Sequence, residues 1–277
     1  MFTIIVPTDF SDTARNAVDF ALKMANDMHT VRVVLYNAYS RSAIGVDGTP
    51  LSIEPETNRQ ITLMALQNLR SEFPVRAGLT VDILAEEGDL TPNLARLAAE
   101  KKADLAVMGI NGASKIEQVL IGSSTLSVVN RASIPVLIIP PDAVYKKIRK
   151  VLFCSDLKDV DKTTPLDHLK AMLDMFGPRL VIGHVSTNHY NDTLHQQKVE
   201  IAKLNDMLAA YAPEFAVLPM GDFTESTSQL ATDKQVDLLI TVPRKHSFFE
   251  KLISPSHTKK LAYHSHLPVL AIPDNHS

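Results

Sequence analysis

The two halves of this chain carry the same succession of motifs, and this repetition constrains the fold more than any other feature. The segment Ile134–Pro140 reads IPVLIIP and returns 133 residues later as Leu267–Pro273, which reads LPVLAIP. Repetition over so long a period indicates duplicated domains rather than a solenoid of short units. We therefore predict two domains, which span residues 1–141 and 148–277.

The spacing between the copies changes near the start of each half. Ile4–Phe10 reads IIVPTDF and resembles Val151–Leu157, which reads VLFCSDL and lies 147 residues later. We place the extra residues of the first half in 41–55, a stretch with glycine, proline and serine that predicts a loop. A linker is predicted at Pro141–Lys147, where a second consecutive proline interrupts the chain.

Each half alternates short runs of β-branched residues with amphipathic stretches. The predicted strands lie at 2–7, 31–38, 79–85, 104–108 and 134–139, and then at 149–154, 179–185, 214–219, 236–241 and 267–272. The predicted helices of the first half lie at 11–28, 56–72, 90–101 and 123–131, and further helices separate the later strands. This alternation indicates right-handed crossovers and parallel sheets with helices on both faces. The fold class is α/β, with two tandem doubly wound five-stranded sheets of strand order 3-2-1-4-5.

A glycine-rich stretch follows the fourth predicted strand of the first half. Gly109 and Gly112 precede Gly122 and Ser123, where a helix is predicted to begin. Glycines let the backbone approach an anion, and a helix N-terminus carries partial positive charge, so the pattern favours phosphate binding. It is neither a lysine-bearing P-loop nor a dinucleotide fingerprint. An alternative remains open, in which the glycines form a turn and Ser123 caps the helix.

Two motifs of the first half are expected to meet at one crevice. In a sheet of this strand order, ligands bind beyond the carboxyl ends of strands 1 and 4, where the order reverses. The first strand ends at Pro7, Thr8 and Asp9, and the fourth ends at Gly109. We favour a ligand contact for Asp9, although this residue is also suited to begin a turn before a helix capped by Ser11.

The combination of these motifs resembles the universal stress protein family. It consists of Pro-Thr-Asp-Phe-Ser at 7–11, the spacing G-x2-G-x9-G-[ST] from Gly109, and Ile-Pro-Val-Leu at 134–137. The resemblance covers essentially the whole chain as two tandem copies. It implies a fold like that of the adenine nucleotide alpha hydrolases, with an ATP-binding type of site in the N-terminal copy.

The resemblance also implies the residues of that site. Asp9 would contact the nucleoside, the backbone near Ala38 would meet the adenine edge, and Met108 and Gly109 would flank the ribose and α-phosphate. The implied nucleotide-binding set is Pro7, Thr8, Asp9, Ala38, Met108, Gly109, Gly112, Gly122, Ser123, Ser124 and Thr125. At residues 36–38 the chain reads Tyr-Asn-Ala and departs from the family's usual His-Val.

The second half lacks most of this pattern. At the same offset the three glycines become Val242, Lys245 and Pro255. Valine carries a Cβ where close approach was wanted, and proline has no N–H to donate. We predict that this domain binds no nucleotide and serves as a structural or partner-binding copy, with Asp156 as a turn residue.

Composition excludes several partners. The net charge is −3, without the basic excess that non-specific nucleic-acid binding requires. No apolar run reaches the roughly 18 residues of a membrane span, and no signal peptide is recognised at the N-terminus. The single cysteine, Cys154, suits a reducing cytoplasm and is predicted to be a buried apolar residue. We expect a cytoplasmic protein.

The resemblance implies ATP or a related adenine nucleotide as the ligand, hydrolysed slowly or not at all, so we expect a regulatory role in the stress response. Mg²⁺ is expected only on the phosphates, and no catalytic or dedicated metal-binding residue is assigned. Two alternatives remain: a slow ATPase, and an interaction module independent of nucleotide. An adenylate-forming ligase is disfavoured because neither S-G-G-x-D-S nor H-I-G-H occurs. The fifth strands, at 136–139 and 269–272, are expected to pair within the chain, and a homodimer is a further prediction.

Overall fold

The computed structural model describes residues 1–40, 42–44, 50–52, 54–110, 121–185, 191–218, 223–243 and 267–274. These residues form two compact units, and the boundary falls between Tyr145 and Lys146. Both units are α/β layers. None of the helices within the described ranges is long and apolar enough to cross a membrane.

The first unit contains one parallel sheet and the helices that connect its strands. Its elements are β1 (Phe2–Pro7), α1 (Asp12–Asp27), β2 (Val31–Tyr39), β3 (Ser42–Ile44), β4 (Pro50–Ser52), α2 (Pro55–Ser71), β5 (Thr80–Glu87), α3 (Leu90–Lys101), β6 (Leu105–Gly109), α4 (Ser123–Val129) and β7 (Val136–Ile139). The sheet order is β5-β2-β1-β6-β7, and each of these pairings is parallel. This is the predicted 3-2-1-4-5 order, which is therefore confirmed.

One segment of the first unit differs from its prediction. The stretch 41–55, predicted as a loop, contains the short antiparallel pair of β3 and β4. The runs Ser42–Ile44 and Pro50–Ser52 are too short to show an alternating pattern, and their proline and serine are typical of loops. The loop prediction was wrong for this reason.

Helix α1 is specified by its cap and by its apolar face. The Ser11 hydroxyl accepts a hydrogen bond from the Ala14 N–H at 3.3 Å, as the predicted N-cap requires. Residues buried on the helix include Val18, Ala21 and Leu22, which share the face toward a sheet whose central strand, β1, is buried from Thr3 to Pro7. Burial of this apolar helix face on an apolar sheet is what stabilises the packing of α1.

Part of the predicted linker Pro141–Lys147 packs on the first unit. The Asn16 side chain on α1 donates to the Ala143 carbonyl at 3.1 Å, and Ala143 is itself buried. The Tyr145 hydroxyl donates to a carboxylate oxygen of Asp27 at 2.9 Å, near the C-terminal end of α1. These contacts tie the segment to α1 along most of the helix.

The second unit repeats the strand order of the first. Its elements are β8 (Lys150–Cys154), α5 (Val160–Thr163), α6 (Leu166–Phe176), β9 (Arg179–Val185), α7 (Asn191–Met207), a 3₁₀ turn (Ala209–Tyr211), β10 (Glu214–Leu218), α8 (Phe223–Asp233), β11 (Leu238–Thr241) and β12 (Val269–Ala271). The sheet order is β10-β9-β8-β11-β12, again with parallel pairings.

The helical segment after the first strand differs between the units. The first unit has a continuous helix of 16 residues, whereas α5 has only 4 residues and is followed by Pro165 and α6. A proline inside a helix removes one backbone hydrogen bond and clashes with the preceding turn. The counterpart of α1 is therefore broken in two.

The duplication is also visible in equivalent hydrogen bonds. A carboxylate oxygen of Asp104, just before β6, accepts from the Thr3 N–H of β1 at 2.8 Å. In the second unit a carboxylate oxygen of Asp237, just before β11, accepts from the Lys150 N–H of β8 at 3.0 Å. The same residue type thus locks strand 4 to strand 1 in both copies, which supports the offsets read from the sequence.

Candidate functional site

A cavity of about 310 Å³ lies at the carboxyl edge of the first sheet. The ends of β1, β2 and β6 surround it, together with the N-terminal turns of α1, α3 and α4. Its lining residues are Pro7, Thr8, Asp9, Ala14, Asn37, Ala38, Leu90, Met108, Gly109, Gly122, Ser123, Ser124 and Thr125. This is the point where the strand order reverses, and the volume lies within the ~300–1,000 Å³ of small-molecule sites.

The structure brings together the site residues that the sequence picks out. All of the predicted set line this cavity except Gly112, which lies outside the described residues. Three further lining residues were missed: Ala14, Asn37 and Leu90. Leu90 follows the Gly88-Asp89 pair that recurs in both halves, and this repeat is the signal that could have found it.

The turn after β1 is held by its own side chains. The Thr8 hydroxyl accepts from the Phe10 N–H at 3.0 Å, and a carboxylate oxygen of Asp9 accepts from the Ser11 N–H at 3.1 Å. Phe10 adopts a φ of 63°, a left-handed conformation that is unusual for a bulky residue. Asp9 therefore begins a turn at the start of α1, and it also lines the cavity. The two roles are compatible, and the ligand contact of Asp9 stays a prediction.

Gly109 is required by packing between β6 and α1. A Cβ placed on Gly109 would lie 2.8 Å from the Thr13 carbonyl oxygen and 3.2 Å from the Ala14 nitrogen. Real Cβ atoms essentially never come closer than 3.0 Å to a neighbouring atom. The sequence argument located this glycine correctly, but its absent side chain makes room for the first turn of α1.

The first turn of α4 is anchored to the end of β6. The buried Thr125 hydroxyl donates to the Gly109 carbonyl at 2.9 Å. Gly122 is the N-cap residue of the helix, and no side chain provides a cap, so the alternative that Ser123 caps the helix is wrong. The first intrahelical bond runs from the Leu126 N–H to the Gly122 carbonyl at 2.9 Å, which leaves the N–H groups of 123–125 without an intrahelical acceptor.

The electrostatics of the cavity come mainly from the backbone. Asp9 is the single ionisable side chain among the described lining residues. The N-termini of α1, α3 and α4 all face this edge of the sheet, and each contributes partial positive charge. Across the described part of the chain, no cluster of three or more His, Cys, Asp or Glu side chains could hold a metal ion.

The corresponding edge of the second unit has different chemistry. Cys154 replaces Pro7 and is buried, as predicted, and burial raises the pKa of its thiol from 9.0 to about 12. A carboxylate oxygen of Asp156 accepts from the Lys158 N–H at 3.3 Å, which confirms the turn predicted there. Val242, in place of Gly109, is buried. Lys245 and Pro255 lie outside the described residues.

The strand order, the cavity at its reversal point and the internal duplication define a tandem α/β protein with a glycine-lined cavity at the sheet edge of its first unit. The sequence model of the universal stress protein family matches residues 1–140 and again residues 147–273. The chain therefore belongs to the universal stress protein family, as two tandem copies.

Individual relatives agree with this assignment. Universal stress protein MJ0577 of Methanocaldococcus jannaschii is 28% identical over 160 residues, which cover 49% of this chain and 93% of the relative. A universal stress protein of Thermus aquaticus is 30% identical over 138 residues, covering 50% of this chain and 97% of its own. Most of each relative thus corresponds to about half of this chain.

Solved structures show the fold at full length. The crystal structure of a universal stress protein from Archaeoglobus fulgidus covers 99% of this chain and 98% of its own, with a TM-score of 0.67 at 16% identity. The two chains therefore share the tandem fold. Another member, solved in complex with cAMP, is 27% identical and covers 50% of this chain, with a TM-score of 0.36.

Proposed function

We propose that the first domain binds ATP or a related adenine nucleotide as a regulatory ligand in the stress response. The observation that supports this most is the convergence of separate motifs on one cavity. The end of β1 and the glycine motif between β6 and α4 were selected separately in the sequence, and the family resemblance implied the end of β2; all of them line the same space at the reversal point of the sheet.

The proposed orientation follows from the polar groups around the cavity. The phosphates lie against Gly122 and the N–H groups of residues 123–125, because these donors have no intrahelical acceptor and sit at the positive end of a helix. The nucleoside lies toward Asp9 and Ala38 at the ends of β1 and β2. Met108 and Gly109 lie between these two ends, and Gly112 stays in the proposed set.

We propose binding with at most weak hydrolysis. Efficient phosphoryl transfer depends on cations that neutralise developing charge and on a group that orients the nucleophile. Among the described lining residues Asp9 alone is ionisable, and the polar donors are backbone N–H groups and hydroxyls. Any Mg²⁺ would be coordinated by the phosphates of the nucleotide. The nucleotide would act by changing the conformation or the association of a cytoplasmic protein.

The second domain, in this proposal, binds no nucleotide. The buried Val242 stands where the first domain requires a glycine, and Cys154 stands in place of Pro7. The helix that would correspond to α1 is interrupted before Pro165. We propose that this copy is structural or binds a partner, and that the fifth strands of the two domains pair, with homodimer formation as a further possibility.

Calorimetric titration of the intact chain with ATP tests the proposal, with Gly122→Val as the informative variant. Gly122 has φ −63° and ψ 150°, which any residue adopts, so the substitution fills the cavity edge without straining the backbone. Ser71→Val is the matched control, since it adds the same side chain at the exposed C-terminal end of α2. We expect Gly122→Val to abolish ATP binding and Ser71→Val to preserve it.

The possible results separate the candidate functions. Unchanged affinity in Gly122→Val would contradict the phosphate position, whereas no binding by the unmodified chain would favour a nucleotide-independent interaction module. Mass spectrometry of small molecules that co-purify with the protein identifies the ligand without assuming its structure. Phosphate release measured on the same samples distinguishes a regulatory site from a slow ATPase.

A further inference from the structure

Asn37 is a polar side chain in a position where the rest of β2 is apolar or partly exposed. It lies near the carboxyl end of the strand, next to Ala38, and is one of the residues that line the cavity. Only 8% of Asn37 is exposed. A buried amide normally makes hydrogen bonds through both its nitrogen and its oxygen, so we consider the hydrogen bonds of each atom of the Asn37 amide in turn.

One hydrogen bond fixes the orientation of this amide. The Asn37 Nδ2 donates to the backbone carbonyl of Thr8 at 2.7 Å. A carbonyl accepts and cannot donate, so the nitrogen must face Thr8 and the Oδ1 atom must be turned away from it. Within the part of the chain that the structure describes, this Oδ1 atom has no hydrogen-bond partner.

The amide therefore offers two unused functions to the cavity. The Oδ1 atom accepts a hydrogen bond, and the second N–H of Nδ2 donates one. Adenine presents the complementary pair, a donor at its 6-amino group and an acceptor at N7, and asparagine pairs with adenine in this way in nucleic-acid recognition. Guanine carries an oxygen at position 6, which would face Oδ1 with a second acceptor.

We propose that Asn37 selects adenine over guanine and hypoxanthine at this site. The inference rests on the proposed nucleotide function and adds the residue that determines base specificity. Beside the expected contact of adenine with the backbone at Ala38, Asn37 would add a side-chain contact, and the hydrogen bond to Thr8 holds that side chain in place. A fixed amide loses little conformational entropy on binding, which favours its use as a specificity group.

The second domain carries a natural substitution at the same position. In the β1–β2 pairing Pro7 lies opposite Tyr36, and in the β8–β9 pairing Cys154 lies opposite Gly183. The residue after Gly183 is His184, which therefore corresponds to Asn37. The two copies therefore differ at this position: the first carries an amide, and the second carries His184-Val185, the sequence that is usual for the family there.

The experiment measures the affinities of three nucleotides for the intact chain and for Asn37→Ala. The nucleotides are ATP, inosine triphosphate, which has an oxygen at position 6, and purine riboside triphosphate, which has only hydrogen there. We expect the unmodified chain to bind ATP on the order of tenfold more tightly than either analogue, as one or two neutral hydrogen bonds provide. Asn37→Ala should lose this preference and bind all three about equally.

Asn16→Ala is the matched control. Asn16 also donates to backbone carbonyls, those of Pro140 at 2.9 Å and Ala143 at 3.1 Å, but it does not line the cavity. This variant should keep the full preference for ATP, and thermal unfolding of both variants verifies that they fold.

Three outcomes would overturn the inference. If Asn37 only ties β1 to β2, then Asn37→Ala weakens all three nucleotides by the same factor and the preference for ATP persists. Equal affinities of the unmodified chain for ATP and inosine triphosphate would overturn it without any variant. Absence of binding by all three nucleotides would reject the proposed function itself, a result distinct from binding without base preference.

Discussion

Replacement of Gly109 by alanine tests the reason for this glycine. The added methyl group would lie 2.8 Å from the Thr13 carbonyl oxygen and 2.9 Å from its carbonyl carbon. Both atoms belong to the backbone of α1, so no side-chain rotation relieves the contact. To reach ordinary contact at 3.4 Å, the first turn of α1 and the end of β6 must separate by more than half an ångström.

The size of the effect follows from two opposing terms. Overpacking of a close-packed interior costs typically 1–3 kcal/mol, whereas a Gly→Ala change gains about 0.4–1 kcal/mol by restricting the unfolded chain. We expect a net loss of about 1–2 kcal/mol in the unfolding free energy of the first domain. Nucleotide binding should weaken as well, because Thr125 is anchored to the Gly109 carbonyl and Ala14 lines the same cavity.

Gly183→Ala is the matched control in the second domain. Its Cβ would meet the Leu152 Cδ1 at 3.0 Å and the Leu230 Cδ2 at 3.4 Å, which are the ends of flexible side chains. These methyl groups can rotate away, so the expected change is within about 1 kcal/mol. Both glycines are in parallel strands without positive φ, so the comparison isolates what the new methyl group touches.

Native-state hydrogen exchange suits this comparison because it resolves the stability of each domain within the intact chain. The slowest amides of β1 and β6 report the first domain, and those of β8 and β9 report the second. If Gly109→Ala leaves the first domain as stable as before, or if Gly183→Ala is the more damaging change, the packing argument is refuted.

Two further predictions concern alkaline stability and domain association. The pKa of the Cys154 thiol is raised from 9.0 to about 12 by burial, so its contribution to stability is complete below about pH 9 and is lost as the pH rises toward 12. For this one group, each pH unit in that range lowers the unfolding free energy by about 1.4 kcal/mol. Tyr36 and Tyr145 add to the slope, because their pKa values are also raised mainly by burial. Urea unfolding of Cys154→Ala should therefore show a shallower alkaline decline, and an unchanged slope would contradict this. For association, small-angle scattering of the intact chain should fit one compact particle, and two separated lobes would contradict pairing of the fifth strands.

Much of the fold could be predicted because the sequence encodes it redundantly. Burial of parallel strands on both faces produces nearly continuous apolar runs, such as Val136–Ile139, and right-handed crossovers leave few alternatives for strand order. The hairpin of β3 and β4 was missed because its strands have three residues each, too few for a periodic signal. Helix ends shifted by one or two residues, as at α4, which ends at Val129 instead of the predicted residue 131.

The site was predictable in position but not in the function of each group. Glycines, a turn and a helix start mark the carboxyl edge of a sheet, so most lining residues followed from spacing and topology. The reason for Gly109 depends on the distance between two backbones that are far apart in sequence, and spacing alone cannot show that distance. Asn37 was missed because a single polar residue at a strand end gives no pattern, and its importance depends on which atom faces Thr8.

The second domain differs from the first in its scaffold as well as in its ligand groups. In the first domain Gly109 allows the start of a continuous α1 to lie against the end of β6. In the second domain the buried Val242 occupies that position, and α5 begins at Val160, within one residue of the position equivalent to the start of α1. This helix is short, and Pro165 separates it from α6. Since α1 supplies one wall and one positive helix end to the cavity of the first domain, the broken helix of the second domain leaves our proposed site without an equivalent wall there. The proposal of a nucleotide site in the first copy alone is therefore compatible with the strand order that both copies share.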